Sequence, residues 1–170
     1  AKEIFLSLLP ISLSKGFTLS GQRMGAMIGI TSDEGVAKEF VDINQYSSRA
    51  TWSNCNSAPQ QAMIAICRDP AKIENDEERK FYFEMIQQRA NIFMKEADEL
   101  GIKYVPYISG FFITIYEGAQ AVCDKLQEDN IFMVPLKKGI RLAVCSVSKK
   151  KMQGLAGKLK AAMDEVGVRQ

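Results

Sequence analysis

Short apolar runs separated by polar turns mark the first part of the chain. Residues 4–13 and 24–31 are apolar runs of strand length, and they predict two buried strands. Apolar side chains at a helical spacing follow. With Ser32 or Asp33 as the cap, they predict a helix from about residue 33 to about residue 47.

The strongest helical signal lies between residues 75 and 100. Its apolar side chains form one wide face, and Gly101 follows as a C-terminal cap. The members of this face are Phe81, Phe83, Ile86, Ala90, Phe93, Met94 and Ala97. A shorter helix is expected before it, beginning near Pro59 and ended by Asp69 and Pro70.

Beyond residue 101 the pattern changes to short strands and helices, which is typical of a small α+β unit. Strands are expected near residues 104–105, 111–116, 131–134 and 140–144, and helices near residues 119–127 and 149–166. The predicted fold class is therefore α/β. Strands and helices of a larger sheet come first, then a boundary near residue 75 and a long bridging helix, and finally a compact two-layer α+β domain.

Composition excludes several classes of protein. With 46% apolar and 25% charged residues, the 170-residue chain is neither disordered nor fibrous. Its net charge of +2 indicates no nucleic-acid partner and no anionic membrane, and the run at residues 4–13 is too short to span a bilayer. The chain has no histidine, which excludes imidazole catalysis and histidine-ligated zinc for this chain acting alone, and no metal site is expected.

The four cysteines are widely spaced and include no C-x-x-C pair. Cys55, Cys67, Cys123 and Cys145 fit neither a zinc ribbon nor a small disulfide scaffold. We expect reduced, mostly buried thiols, which favours a cytoplasmic location.

A lysine flanked by hydroxyl groups follows the first predicted strand. Ser12 and Ser14 precede Lys15, and Arg23 and Gly25 follow at a short distance. This arrangement resembles the S-x-S-K and R-x-G pattern of the class I aminotransferases that depend on pyridoxal phosphate. The resemblance implies that Lys15 forms the Schiff base with the cofactor.

The same resemblance implies that Ser12, Ser14 and Arg23 bind the cofactor with Lys15. Hydroxyl and guanidinium donors suit a phosphate, and a lysine amine suits an aldehyde. Once an amino acid has displaced it, the Lys15 amine would move the proton from the substrate α-carbon. Taken singly, Lys15 would be a surface lysine, the serines turn residues, and Arg23 part of a surface ion pair.

Residues 46–54, Tyr-Ser-Ser-Arg-Ala-Thr-Trp-Ser-Asn, are similar to the family's R-x-x-[YW]-S-N segment. The resemblance implies that Arg49 acts across a homodimer interface and binds the side-chain carboxylate of a dicarboxylate substrate. An aromatic amino acid is the alternative substrate. Ser53 and Asn54 would shape the same edge, and Trp52 would be a packed interface aromatic. The segment after Asn54 departs from the family's proline-rich turn, so the substrate loop is expected to differ.

Residues 139–144 resemble the family's strand that carries the arginine for the substrate α-carboxylate. Arg141 occupies that position, and a planar guanidinium suits a carboxylate that must stay fixed. The alternation of Ile140, Leu142 and Val144 predicts that Arg141 faces away from that apolar set. The alternative for Arg141 is an exposed strand residue.

The resemblance covers essentially the whole chain, but only the C-terminal portion of a class I/II, fold type I aminotransferase of the aspartate or aromatic kind. It implies that residues 1–75 are a remnant of the large cofactor-binding domain and residues 76–170 the small domain. Amino acids and 2-oxo acids would be the substrates, in a homodimer. The family's aspartate at the pyridine nitrogen is absent, so we expect the isolated chain to be inactive. The alternative is a non-catalytic structural or truncated domain without cofactor.

The faces of the two first strands are expected to be exposed and covered by self-association or a partner.

Overall fold

The computed structural model describes residues 5–168, and the first part of this range forms a β-hairpin. Strand β1 (Ser7–Ser12) pairs antiparallel with β2 (Gly25–Ile30), and Ser12 lies opposite Gly25. Ile4, at the start of the first predicted strand, lies outside the described residues. Both strands were predicted from their apolar pattern, and both are present.

The prediction that these strands are buried is wrong for the described chain. All six residues of β1 are exposed, and Leu8 and Met27 are 52% and 50% exposed. Burial needs a second layer on each face, and among the described residues the main layer is one helix. A Cβ built on Gly29 of β2 would lie 2.8 Å from the Phe40 ring of that helix, so helix and hairpin approach closely there. The expectation of exposed apolar strand faces is thereby confirmed.

Two short helical segments and two longer helices complete the first part of the chain. A four-residue helix, α1 (Leu13–Gly16), and a 3₁₀ turn (Ser20–Gln22) lie between the hairpin strands. Helix α2 (Glu34–Thr51) follows, and helix α3 comprises Ser57–Ile66. The predicted cap of α2 is confirmed, because the Asp33 carboxylate accepts a hydrogen bond from the Val36 N–H at 2.9 Å.

Helix α4 (Ala71–Glu99) is the longest element and begins before the predicted residue 75. Its C-terminal cap is as predicted: Gly101 adopts a φ of +69°, and the Ile102 N–H donates to the Ala97 carbonyl at 2.8 Å. The chain divides into two compact units between Arg79 and Lys80, inside α4. That the first unit is a remnant of a larger domain, with a boundary near residue 75, stays a prediction.

The second unit contains a three-stranded antiparallel sheet. Strands β3 (Phe112–Tyr116), β4 (Val134–Leu136) and β5 (Gly139–Ala143) are ordered β3-β5-β4, with β5 in the centre. The strand predicted at residues 131–134 is displaced toward the C-terminus. The strand predicted at residues 104–105 is reduced to a bridge with β3, because too few residues extend there to make a ladder.

Three helices flank this sheet in the sequence. Helix α5 (Ala119–Glu128) matches its prediction closely, whereas the single helix predicted at residues 149–166 is wrong. Instead, α6 (Lys149–Met152) and α7 (Leu155–Glu165) are separated at Gly154, which has a φ of +74°. The Gly154 N–H donates to the Glu96 carboxylate at 2.9 Å, a tertiary hydrogen bond that replaces the helical one.

The core of the second unit lies on one face of its sheet. It contains one face of α4, the inward residues of β3 and β5, and the apolar sides of α5 and α7. Its fully buried members include Phe93, Ile113, Ile115, Ile140 and Leu159. In the described part of the first unit, by contrast, the buried residues are Leu13 and Pro59. The second unit thus has the larger apolar core of its own.

Gly139 sets the close approach of β5 to β3, and its replacement by alanine is expected to destabilise the second unit by about 1–3 kcal/mol. A Cβ at Gly139 would lie 2.3 Å from the Ile115 carbonyl oxygen, and a backbone atom in a central strand cannot move aside easily. Urea unfolding followed by far-UV circular dichroism measures the loss.

Gly157→Ala is the matched control for Gly139→Ala. Gly157 lies within α7, and nothing is within 4 Å of its Cβ position, so this change should leave stability unchanged or raise it by about 0.5–1 kcal/mol. Equal unfolding midpoints for the two variants would contradict the argument.

Candidate active site

The last residue of β1 and the connection from β1 to β2 carry the four predicted cofactor-binding residues. The connection is closed at its base, because Ser12 lies opposite Gly25 and the Leu13 N–H donates to the Met24 carbonyl at 3.2 Å. The Leu19 N–H also donates to the Leu13 carbonyl at 3.2 Å. The antiparallel pairing therefore brings Ser12, Ser14, Lys15 and Arg23 into one short segment.

The serines and Lys15 are arranged around α1. Ser12 caps this helix, and its Oγ accepts a hydrogen bond from the Ser14 N–H at 3.3 Å. Because Oγ acts there as an acceptor, the Ser12 hydroxyl proton remains able to bind an anion. Lys15 is exposed on α1, and Ser14 is half-buried. The amine and the two hydroxyl groups therefore come from α1 and the residue that caps it.

Arg23 adopts a left-handed backbone conformation at the end of the connection. Its φ is +52° and its ψ is +45°, values that a non-glycine residue rarely adopts. Its Nη1 donates to the Ser20 carbonyl at 3.1 Å, which ties the side chain to the 3₁₀ turn. A further contact fixes the connection against α4: the Arg79 guanidinium lies 4.6 Å from the centre of the Phe17 ring.

Arg49 lies near the C-terminal end of α2 and is bound to the loop that follows. Its Nη1 donates to the Ser53 carbonyl at 2.9 Å and to Asn54 Oδ1 at 3.2 Å, so the three residues form one group. Ser53 has a φ of +68°, which turns the chain sharply after the helix. Trp52, predicted as a packed interface aromatic, is 79% exposed in this chain.

A hydrogen bond links the loop after α2 to the connection between β1 and β2. Asn56 caps α3, and its Nδ2 donates to Gln22 Oε1, next to Arg23, at 3.5 Å. The predicted cofactor group and the segment after Arg49 therefore lie beside each other in the first unit. The sequence reasoning did not single out Asn56 or Gln22, because nothing in the sequence indicates that residues 34 positions apart meet.

Arg141 lies in the second unit, on the central strand β5. The prediction that it faces away from the apolar set is confirmed, because Ile140 is fully buried and Leu142 is 2% exposed, while Arg141 is half-buried. Its guanidinium lies 4.5 Å from the centre of the Phe112 ring, and its Nε is buried without a hydrogen-bond partner. The sequence reasoning missed Phe112. The alternation of side chains along β3 puts Phe112 on the face opposite to the core, but the register of β3 against β5 was needed to place it beside Arg141.

The cysteines are all free, but the expectation that they are mostly buried is wrong. Cys55 and Cys67 are exposed and Cys145 is half-buried. Cys123 is buried, and this burial raises the pKa of its thiol. Within residues 5–168 no group of three or more cysteine and carboxylate side chains is positioned to hold a metal ion. No helix in this described part is long and apolar enough to cross a membrane.

Comparison with known proteins decides the family. The model of the family "Aminotransferase class I and II" matches residues 8–159, which is most of the chain. The chain belongs to the class I and II aminotransferases. No curated protein matches it in the corresponding search. The resemblance inferred from Lys15, Arg49 and Arg141 is thus correct at the level of the family.

Solved structures agree with this assignment. An aminotransferase from Anaerococcus prevotii is similar to 91% of this chain, with 34% identity and a TM-score of 0.86. A Thermus thermophilus aspartate aminotransferase mutant also matches 91% of the chain, with 17% identity and a TM-score of 0.73. The broad specificity aminotransferase of Leishmania mexicana matches 92% of it, with 19% identity and a TM-score of 0.73. The last two support the fold alone.

The chain spans about two fifths of the length of these aminotransferases. The matched region covers 38% of the Anaerococcus protein, 41% of the Thermus protein and 39% of the Leishmania protein. The mixed α/β fold of the chain is therefore shared with part of a class I and II aminotransferase.

The residues of the β1–β2 connection fit pyridoxal phosphate, the cofactor on which this family generally depends. A phosphate dianion needs several N–H and O–H donors, which the Ser12 and Ser14 hydroxyls and the Arg23 guanidinium provide. The aldehyde needs one amine within the same group, and Lys15 is the residue that would supply it. The donor set that the hairpin assembles thus has the chemistry that this cofactor requires.

Proposed function

We propose that this chain is the C-terminal part of a pyridoxal-phosphate aminotransferase that transfers an amino group from an amino acid to a 2-oxo acid. The observation that carries the proposal is the closed β1–β2 connection, which holds Ser12, Ser14, Lys15 and Arg23 in one segment. This segment groups one amine with three side chains that can donate hydrogen bonds to a phosphate, as a common ligand would require.

Each residue of the connection has a distinct task in this proposal. Arg23 and the hydroxyls of Ser12 and Ser14 bind the phosphate and fix the orientation of the cofactor. Lys15 is the covalent attachment residue, and its amine then moves the proton from the substrate α-carbon. The cofactor, when bound, withdraws electrons from that carbon.

The two other arginines bind the substrate in this proposal. Arg141 binds the α-carboxylate, because a planar fork holds a carboxylate at two points. Arg49 binds the side-chain carboxylate of aspartate, glutamate or 2-oxoglutarate, acting in the site of the neighbouring subunit of a homodimer. An aromatic amino acid is the other candidate substrate. The Nη1 atom of Arg49 is occupied by Ser53 and Asn54, so a substrate would use its remaining nitrogens.

The larger assembly follows from the same proposal. Residues 1–75 belong to the large cofactor-binding domain, α4 bridges to the small domain, and residues 76–170 form that small domain. Because the chain spans about two fifths of its relatives, we expect it to be inactive alone. The exposed apolar residues of β1 and β2 are then covered in the active assembly. A non-catalytic structural unit is the second candidate, and the exposure of Lys15 favours it.

Reductive labelling with pyridoxal phosphate tests the proposal. The chain is incubated with a sub-stoichiometric amount of the cofactor, reduced with borohydride, digested and mapped by mass spectrometry. We expect one dominant modified peptide, that of Lys15, and competition by inorganic phosphate. Pyridoxal without its phosphate should label Lys15 less selectively, because the donors of Ser12, Ser14 and Arg23 then have nothing to bind. Label distributed over the exposed lysines would favour the structural unit.

A further inference from the structure

Arg141 stands at the centre of the outer face of the three-stranded sheet. It pairs with Thr114 of β3 on one side and with Val134 of β4 on the other. Its neighbours Ile140 and Leu142 point to the opposite face and into the core. The sheet therefore fixes the backbone of Arg141, but its long side chain keeps several rotamers unless groups on the outer face restrict them.

Phe112 contacts the Arg141 side chain on this outer face. It pairs with Ala143, two positions beyond Arg141 on β5, so Phe112 and Arg141 are diagonal neighbours on one face. The guanidinium carbon lies 4.5 Å from the ring centre, within the range of a cation–π contact. The ring itself is held by an edge contact with Phe111, with 6.5 Å between the ring centres.

The hydrogen-bonding state of Arg141 suits a ligand better than an internal partner. Among residues 5–168 no carboxylate lies within ion-pair distance of Arg141, and its Nε is buried without a hydrogen-bond partner. The two terminal nitrogens are not buried in this way. Since Nε is covered, an incoming carboxylate reaches the guanidinium from its end, through the two terminal nitrogens.

We propose that Phe112 is a positioning residue that holds the plane of the Arg141 guanidinium for end-on binding of a carboxylate. The identity of that carboxylate, the α-carboxylate of an amino or 2-oxo acid, rests on the proposed function. Phe112 touches the arginine and acts on the substrate through it. The packing of a merely structural aromatic would stabilise the sheet without ordering the side chain of Arg141.

Nuclear magnetic resonance of the ¹⁵N-labelled 170-residue chain tests this role. The Arg141 Nε–H signal is assigned by its loss in Arg141→Lys, and its exchange rate with water reports how often the side chain leaves the conformation in which Nε is covered. Phe112→Leu is expected to accelerate this exchange about five- to thirtyfold, the factor that corresponds to losing a cation–π contact. Phe112→Tyr keeps a ring at this position and should restore the slow exchange.

Phe132→Leu is the matched control, because it makes the same substitution at a 75% exposed residue of the second unit. Unchanged Nε–H exchange in Phe112→Leu, or an equal change in Phe132→Leu, would overturn the positioning role. If Phe112→Leu does not fold, a measurement on the wild-type chain tests the role of Phe112 instead. Nuclear Overhauser contacts between the Phe112 ring and the Arg141 Hδ protons support the proposal, and their absence refutes it.

Titration with 2-oxoglutarate separates this proposal from the proposed function. Slow exchange that depends on Phe112, without any shift of Arg141 signals by 2-oxoglutarate, supports the positioning role and counts against Arg141 as a substrate-binding residue. If 2-oxoglutarate shifts the Arg141 signals and its apparent affinity is five- to thirtyfold weaker in Phe112→Leu, the result supports both the positioning role and the proposed function. Equal affinity and equal exchange in wild type and Phe112→Leu leave Arg141 as a binding residue and refute the role of Phe112.

Discussion

Replacing Lys15 with alanine is expected to abolish specific modification by pyridoxal phosphate and borohydride. The amine of Lys15 lies in the same closed connection as Ser12, Ser14 and Arg23, and no other lysine is described in that segment. Without it, bound cofactor would have no amine in this segment to react with, so only the weak, unselective labelling of the other lysines should remain. In an enzyme assembled with this chain, transamination should fall on the order of 10⁴-fold, because a proton-transfer group is lost.

Lys38→Ala provides the matched control for Lys15→Ala. Lys38 is an exposed lysine of the same unit, and its amine contacts Asp42 at 2.6 Å. The hydrogen bond to Asp42 and its charge raise the pKa of Lys38, which keeps the amine protonated and a poor nucleophile. Modification should therefore be unchanged in Lys38→Ala. Equal residual labelling in both variants would show that Lys15 has no special reactivity.

Replacing Phe93 with alanine is expected to lower the free energy of unfolding of the second unit by about 3–5 kcal/mol. Phe93 is fully buried in the core formed by α4, the sheet and α7. Removing its ring takes apolar surface from the core and leaves a cavity that the surrounding strands and helices cannot fill completely. A loss of this size is a large share of the stability of a typical domain.

Urea unfolding of wild type and Phe93→Ala, followed by far-UV circular dichroism, measures the loss. The single tryptophan, Trp52, lies in the first unit, so its fluorescence does not report on this core. Phe83→Ala is the control, because Phe83 lies on the same helix but is 51% exposed and should cost less than about 1 kcal/mol. Similar losses in the two variants would contradict the assignment of Phe93 to the core.

Local signals predicted the helices of this chain well. The cap of α2 at Asp33 and the end of α4 at Gly101 were both found, because a cap depends on residues within one turn of the helix end. Predictions failed where a distant group intervened. The last helix is interrupted at Gly154, whose N–H binds the Glu96 carboxylate of α4, and nothing in residues 149–166 indicates that partner.

The residues of the candidate site were named from the sequence and stay a prediction, whereas their contacts required the structure. Arg141 was placed on the outer side of its strand by the alternation of Ile140 and Leu142. Its contact with Phe112 depends on the register of β3 against β5, which strand patterns leave open. The link from Asn56 to Gln22, beside Arg23, likewise joins residues from separate elements.

The sequence by itself determined the family, through the spacing of Ser12, Lys15 and Arg23, and the helical caps, because both are properties of neighbouring residues. The tertiary structure decided which apolar residues are buried and which side chains meet. Leu8 and Phe93 are equally apolar, yet Leu8 is 52% exposed and Phe93 is fully buried. An apolar pattern indicates that a face can be buried, but burial requires a second layer packed against it. The described chain has such a layer over the sheet of the second unit and little over β1 and β2.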